Sequence, residues 1–210
     1  MAIRKTHMAG VLLALLVLTA GCSGFLSEDQ SFEAANISVS EEALSETGYE
    51  STEAREYTVS EDAVNDTEVN ITSRLAGYEK AYGNLSGYVV ALATPKSEIA
   101  GVDVNLLGQW DKKRLVAEAL SRSGEADIEV DEDELETVGT TRTTVLDTDA
   151  NVTTYETTVT RSGEDTDALV HATRIEHGDD YVIAVGIHPA SADSGESDII
   201  AMFEGIEHGE

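Results

Sequence analysis

Between residues 140 and 188 the chain reads as four β segments, 140–147, 151–161, 167–177 and 181–188. The connections are short and turn-rich: Asp147-Thr148-Asp149, Ser162-Gly163-Glu164 and Gly178-Asp179-Asp180. Breaks this short leave no room for a crossover helix, so the four segments must run as an antiparallel meander. The last one, Tyr181-Val182-Ile183-Ala184-Val185, is apolar on both faces and reads as a central strand covered on two sides.

The rest of the chain is arranged around that meander. Residues 49–60, 67–82 and 88–94 read as earlier strands. In the second, Thr67, Val69, Ile71, Ser73 and Leu75 share one face, and the third stops at Pro95, which cannot continue a ladder. Residues 96–109 read as loop or short strand. Three helices are expected. Ser40 caps a short one that Gly48 closes, and Asp111 caps the clearest, over 111–122, with Leu115, Val116, Ala119 and Leu120 on one face. Ile199, Ile200, Phe203 and Ile206 mark the third, at the C-terminus. The expectation is α+β: a mostly antiparallel sheet of about seven strands with helices packed on it, after an N-terminal signal and tether.

That signal is distinctive. Arg4 and Lys5 precede an apolar run from Met8 to Ala20, and Leu18-Thr19-Ala20-Gly21-Cys22 ends it at the only cysteine. A basic start, a short apolar stretch and small residues at the cut are the layout of an exported precursor. The stretch is shorter than the ~20 residues that span a bilayer. Cys22 at that place looks like a lipobox cysteine, although the aliphatic residue usual three positions earlier is Thr19. The expected organisation is a lipoprotein signal peptide over 1–21, a flexible tether over 22–36 and one domain over 37–210. Lipid on Cys22 places the domain on the extracytoplasmic face of the cell membrane. It also leaves no thiol for disulfides, catalysis or metal binding.

Asp and Glu total 41 against 13 Lys and Arg, a formal net charge of −28, and removal of residues 1–21 makes the excess larger. So acidic a surface repels nucleic acid and anionic lipid. With 41% apolar residues the chain is not of disordered composition. Scarce lysine and acids dispersed along the chain match a protein that folds in molar salt, where the Debye length is ~3 Å and self-repulsion is screened.

Sites of chemistry are sparse. His171, His177, His188 and His208 lie outside the signal, but His171 and His177 are six residues apart on one strand, ~20 Å, too far to share an ion. Polar residues at strand ends are the plainer reading, and no metal site is assigned. Asp147, Asp149 and Asn151 open like a calcium loop, yet Val152 stands where its glycine belongs and Thr158 where its glutamate belongs. The acidic run from Asp127 to Glu134 reads as hydrated surface. No G-x-S-x-G, H-E-x-x-H or phosphate-cradling loop occurs. No catalytic or cofactor residue is assigned, and the expectation is no enzyme. Five N-glycosylation sequons begin at Asn36, Asn65, Asn70, Asn84 and Asn151, of which Asn65 and Asn151 fall in expected turns. Trp110, the only tryptophan, reads as core beneath the 111–122 helix, with a partner anchor as the alternative.

The lipobox, Gly48-Tyr49, Thr94-Pro95, the 101–105 segment, Ile187-His188-Pro189 and Glu207-His208 together resemble a family of halophilic archaeal surface lipoproteins of unknown function. The order of late meander, apolar strand and final helix is similar to PsbP-like domains in architecture. The resemblance implies a membrane-held surface domain and lends no activity. The expected function is a non-enzymatic binding or scaffolding domain whose partner is an envelope protein or small ligand. The alternative is a secreted hydrolase or metal-dependent enzyme, which a deep pocket lined by His171, Asp179 or Asp180 would favour.

Overall fold

The computed structural model describes residues 30–209 except 53, 63–67, 100, 123–129 and 162–163. The strands are β1 (Gln30–Glu33), β2 (Ile37–Val39), β3 (Glu50–Ser51), β4 (Arg55–Asp62), β5 (Glu68–Tyr82), β6 (Leu85–Pro95), β7 (Glu98–Ile99), β8 (Val102–Asp103), β9 (Glu136–Val145), β10 (Thr148–Arg161), β11 (Glu164–His177), β12 (Asp180–Pro189) and β13 (Ile206–His208). The helices are α1 (Glu41–Thr47), α2 (Leu106–Gln109), α3 (Lys112–Arg122) and α4 (Gly195–Glu204). Among the described residues no helix is long and apolar enough to cross a membrane.

One nine-stranded sheet dominates, with the order β1-β5-β6-β12-β11-β10-β9 and with β3 and β4 on β5 as well. Strands β9 to β12 form the expected meander. At its centre β12 lies between β11 and β6. Its side chains divide between two buried layers: Val182 and Ala184 face one, Ile183, Val185 and Ile187 the other. The first layer is roofed by α1 and α4, where Ile199, Met202 and Phe203 are fully buried. Burying each such side chain contributes about 2–3 kcal/mol. The second layer is roofed by α3 through Leu115, Val116, Ala119 and Leu120.

The helix ends follow from the sequence. Ser40 Oγ accepts from the Ala43 N–H, and Gly48 closes α1 at φ 75°. Asp111 Oδ1 accepts from the N–H groups of Lys113 and Arg114 at the start of α3.

The fold class departs from expectation. The domain is predominantly β, and its sheet is mixed, because β1 runs parallel to β5 while every other pair is antiparallel. Residues 30–33, read as the end of the tether, are this parallel strand. The expected strand 49–60 is broken into β3 and β4, with Thr52 donating its N–H to Gly77 between them. β2 and β13 form a separate two-stranded ribbon, and β7 and β8 another. These added strands are two to four residues long, too short to display a period-2 pattern.

The place of β1 has a simple cause. β4 and β6 both pair with Arg74 and Leu75, so they flank β5 on opposite sides. β4 continues along residues 69–72, so β1, which pairs the same residues, takes the side of β6. β6 has ended at Pro95 by then, and β1 fills the vacated ladder.

Candidate functional site

All four described histidines are engaged with one another, in two pairs at opposite ends of the β11–β12 hairpin. The hairpin closes at His177↔Asp180 around Gly178, whose φ of 59° suits a residue without a side chain. From that closure the register runs to His171↔Gly186 and Leu169↔His188. His171 and His188 are therefore diagonal neighbours on one face, and Thr154 of β10 stands directly opposite His171.

The Nε2 atoms of His171 and His188 are 3.0 Å apart, with planes within 10° and centroids 5.1 Å apart. Nitrogens this close in near-parallel rings mean that the rings meet edge to edge rather than face to face. His188 Nδ1 lies 2.8 Å from the carbonyl of Pro189, which can only accept, so Nδ1 carries the proton. With His188 neutral, its Nε2 is a lone pair, and His171 Nε2–H donates to it. His171 Nδ1 then accepts from the Thr154 hydroxyl at 3.2 Å. The two rings are 0% and 2% exposed, and this one-way chain satisfies every ring nitrogen without a charge. Burial, with the facing His188, pushes His171 down to about 4. Burial also lowers His188, against the opposing pull of the Pro189 carbonyl, Glu196 and Asp198.

The second pair is built where both ends of the domain meet the hairpin. β13 pairs with β2 in the register His208↔Ile37, and Gly209 donates to the carbonyl of Asn36. This sets His208 beside His177, with Nδ1 atoms 3.0 Å apart and planes at 80°. His208 Nε2 lies 2.8 Å from Asp180 Oδ2, which also accepts the N–H of Ala35 at 2.8 Å. Asp180 is only 4% exposed. Its carboxylate accepts the Nε2–H of His208, and in the neutral ring this leaves Nδ1 as a lone pair facing His177.

The residues singled out from the sequence are placed as follows. Cys22 and Asn65 lie outside the described residues, as do Asp127 and Glu129 of the acidic run. Asp131 to Glu134 of that run form a surface 3-10 turn in which Asp131 accepts from the Asp133 N–H. Asn151 is exposed, but it sits within β10 opposite Arg142 rather than in a turn. The turn is the two residues Leu146 and Asp147, at φ 49° and 58°, and Asp149 and Asn151 follow along the strand instead of wrapping a loop.

Trp110 is half-buried against the second layer, with the Arg114 guanidinium 4.1 Å above its ring. It also lines an apolar groove with Tyr57, Val59, Ile71, Leu92 and Leu106. His171 is buried in the core, while the aspartates lie at the hairpin tip, where Asp179 is exposed and Asp180 buried.

Sequence reasoning missed both histidine pairs. The pairs are made by a diagonal register and by a C-terminal strand too short to be recognised, which neither the spacing of His171 and His177 along one strand nor that of His177 and His188 across the hairpin displays. Among the described residues no three His, Cys, Asp or Glu side chains converge on one point. Chemically the arrangement offers one sealed, uncharged imidazole relay and one imidazole pair oriented by a carboxylate near the surface.

No curated protein and no solved structure matches the chain. The family model described as a domain of unknown function, DUF6517, matches residues 36–207 and so takes in the His171–His188 pair and all four helices, and it stops one residue short of His208; the chain belongs to that family.

Proposed function

We propose that this protein is a lipid-anchored, extracytoplasmic surface domain of a halophile, which binds or scaffolds another envelope component or a small ligand and is not an enzyme. The observation that carries the reading is the early start of the sheet, only eight positions after Cys22 in the sequence. Gln30 already pairs with Val69, and Arg74 Nη1 holds the carbonyl of Ala34 at 2.7 Å. The seven residues between Cys22 and Gln30 can extend over at most about 28 Å. A lipid on Cys22 would therefore hold Gln30, at the edge of the sheet, within about 30 Å of the bilayer, which suits a fixed binding module better than a diffusing enzyme.

The acidic surface favours neutral or cationic partners over nucleic acid. The apolar groove beside Trp110 supports a binding role, since it combines an aromatic ring with exposed Leu106 and Val59.

The test is Cys22→Ser in the native host, read by membrane fractionation and intact mass. The expected result is loss of the lipid mass and release of the protein to the medium. A variant that stays with the membrane overturns the anchoring.

A further inference from the structure

We propose that the His177–His208 pair is a binding site for a divalent transition-metal ion of tetragonal preference, copper(II) first, with the two Nδ1 atoms as protein ligands. Imidazole nitrogens bind such ions at ~2.0–2.1 Å. Two of them on one ion are therefore about 2.9 Å apart at a right angle and about 3.3 Å apart at a tetrahedral angle. The Nδ1 atoms stand 3.0 Å apart, a separation within the range that two imidazole ligands of one ion span.

The second shell is in place as well. Asp180 accepts the Nε2–H of His208, which in the neutral ring selects the tautomer whose Nδ1 can ligate, and the Ala35 N–H holds Asp180 in turn. Carboxylate–histidine–metal relays are built this way.

The buried pair is a poorer site for the same ion. His171 and His188 are 0% and 2% exposed, and every ring nitrogen there already has a hydrogen-bond partner. His177 is half-buried, so solvent can supply the remaining ligands. In the neutral pair without metal, with the His208 proton on Nε2, His177 Nδ1–H donates to His208 Nδ1. When the ion enters, that proton leaves to solvent and one is taken up at His177 Nε2, so both rings stay neutral and protons balance. Imidazole ligation also separates this ion from sodium, potassium, magnesium and calcium, which prefer the oxygens that cover the rest of the surface.

The test titrates copper(II) into the full chain, solubilised in detergent and molar potassium chloride, with excess magnesium to occupy surface carboxylates. Electron paramagnetic resonance reads the ligand atoms. The expected result is one equivalent bound with hyperfine coupling from two nitrogens. It should be abolished in His177→Gln and weakened about 10–100-fold, with both nitrogens retained, in Asp180→Asn. Circular dichroism checks that each variant is folded. His208→Gln should abolish the two-nitrogen coupling likewise, so whichever of the two variants folds keeps the test decisive. An oxygen-only spectrum, or a two-nitrogen spectrum that survives His177→Gln, overturns the assignment.

Discussion

Gly195 lies flat against the imidazole of His188. A Cβ built on Gly195 would run into Nδ1, Cγ and Cε1 of the ring, so the first turn of α4 can cover the histidine only because it has no side chain there. The ring cannot swing aside, since both of its nitrogens are hydrogen-bonded. Gly195→Ala should therefore cost about 1–3 kcal/mol, the usual range for overpacking. Thermal melting in molar salt measures it, and an unchanged melting temperature would show that the helix start is free to move.

The same buried relay predicts acid sensitivity. The unfolded chain takes up a proton at His171 near pH 6.5, whereas the folded chain resists until about pH 4. The folded pKa is lowered, so between those values the unfolded state binds more protons and stability falls as pH falls. A shift of that size amounts to about 3 kcal/mol by the lower end. Denaturant melts at fixed salt should show the decline beginning near pH 6.5, above the range where carboxylates titrate. The double variant His171→Gln/His188→Gln should be flat there, and an equal slope in both proteins would refute the assignment.

Asp198 ties α4 to β5. It accepts from Lys80 Nζ at 2.6 Å, from the Tyr82 hydroxyl at 3.0 Å and from Ser194 at 2.7 Å. Burial works to raise its pKa, but the bonds from Lys80, Ser194 and Tyr82 and the Lys80 charge prevail and leave it below the usual carboxylate value. Its contribution is present above that usual value and is lost as pH falls through the lowered one. Asp198→Asn should destabilise by about 1–3 kcal/mol at neutral pH. The difference from the parent should shrink in strong acid, which paired melts at the two pH values will show.

Arg174 holds the α2–α3 junction by donating from Nη1 to the carbonyls of Gly108 at 2.8 Å and Trp110 at 3.0 Å. Arg174→Met leaves both acceptors unpaired and frees the junction. With a single tryptophan in the chain, the effect is directly visible. The emission of Trp110 should shift to the red and become more accessible to acrylamide, while the far-ultraviolet circular dichroism stays β-type. Unchanged quenching would mean that packing alone holds the ring.

Charge sets the last expectation. With a formal net charge of −28, the domain should lose melting temperature steadily as potassium chloride is diluted from molar to about 0.1 M, where the Debye length grows to about 10 Å. Full stability in dilute buffer would detach the acidity from salt adaptation.

The parts of this fold that could be read in the sequence are those written in local chemistry. Ser40, Gly48 and Asp111 mark helix ends through bonds to residues at most four positions away. The apolar run from Tyr181 declares a central strand because both of its faces are buried. What could not be read depends on pairing between distant segments. β1 is a strand only because β6 ends at Pro95 and leaves β5 with open hydrogen-bonding groups. β13 is a strand only because β2 lies beside it, and without that ribbon His208 would never reach His177. The site was hidden for the same reason: two residues 31 positions apart carry no spacing signature.

The parallel run of β1 along β5 also decides how the protein bears load. A pull on Gln30 directed along the strand enters at the end where Gln30 pairs with Val69. Tension in that direction strains the bonds of all four paired positions at once, with the Arg74 clamp on Ala34 behind them, instead of opening them one by one. Whatever the N-terminus is tied to can tug on this domain in shear, the direction in which a β ladder yields last.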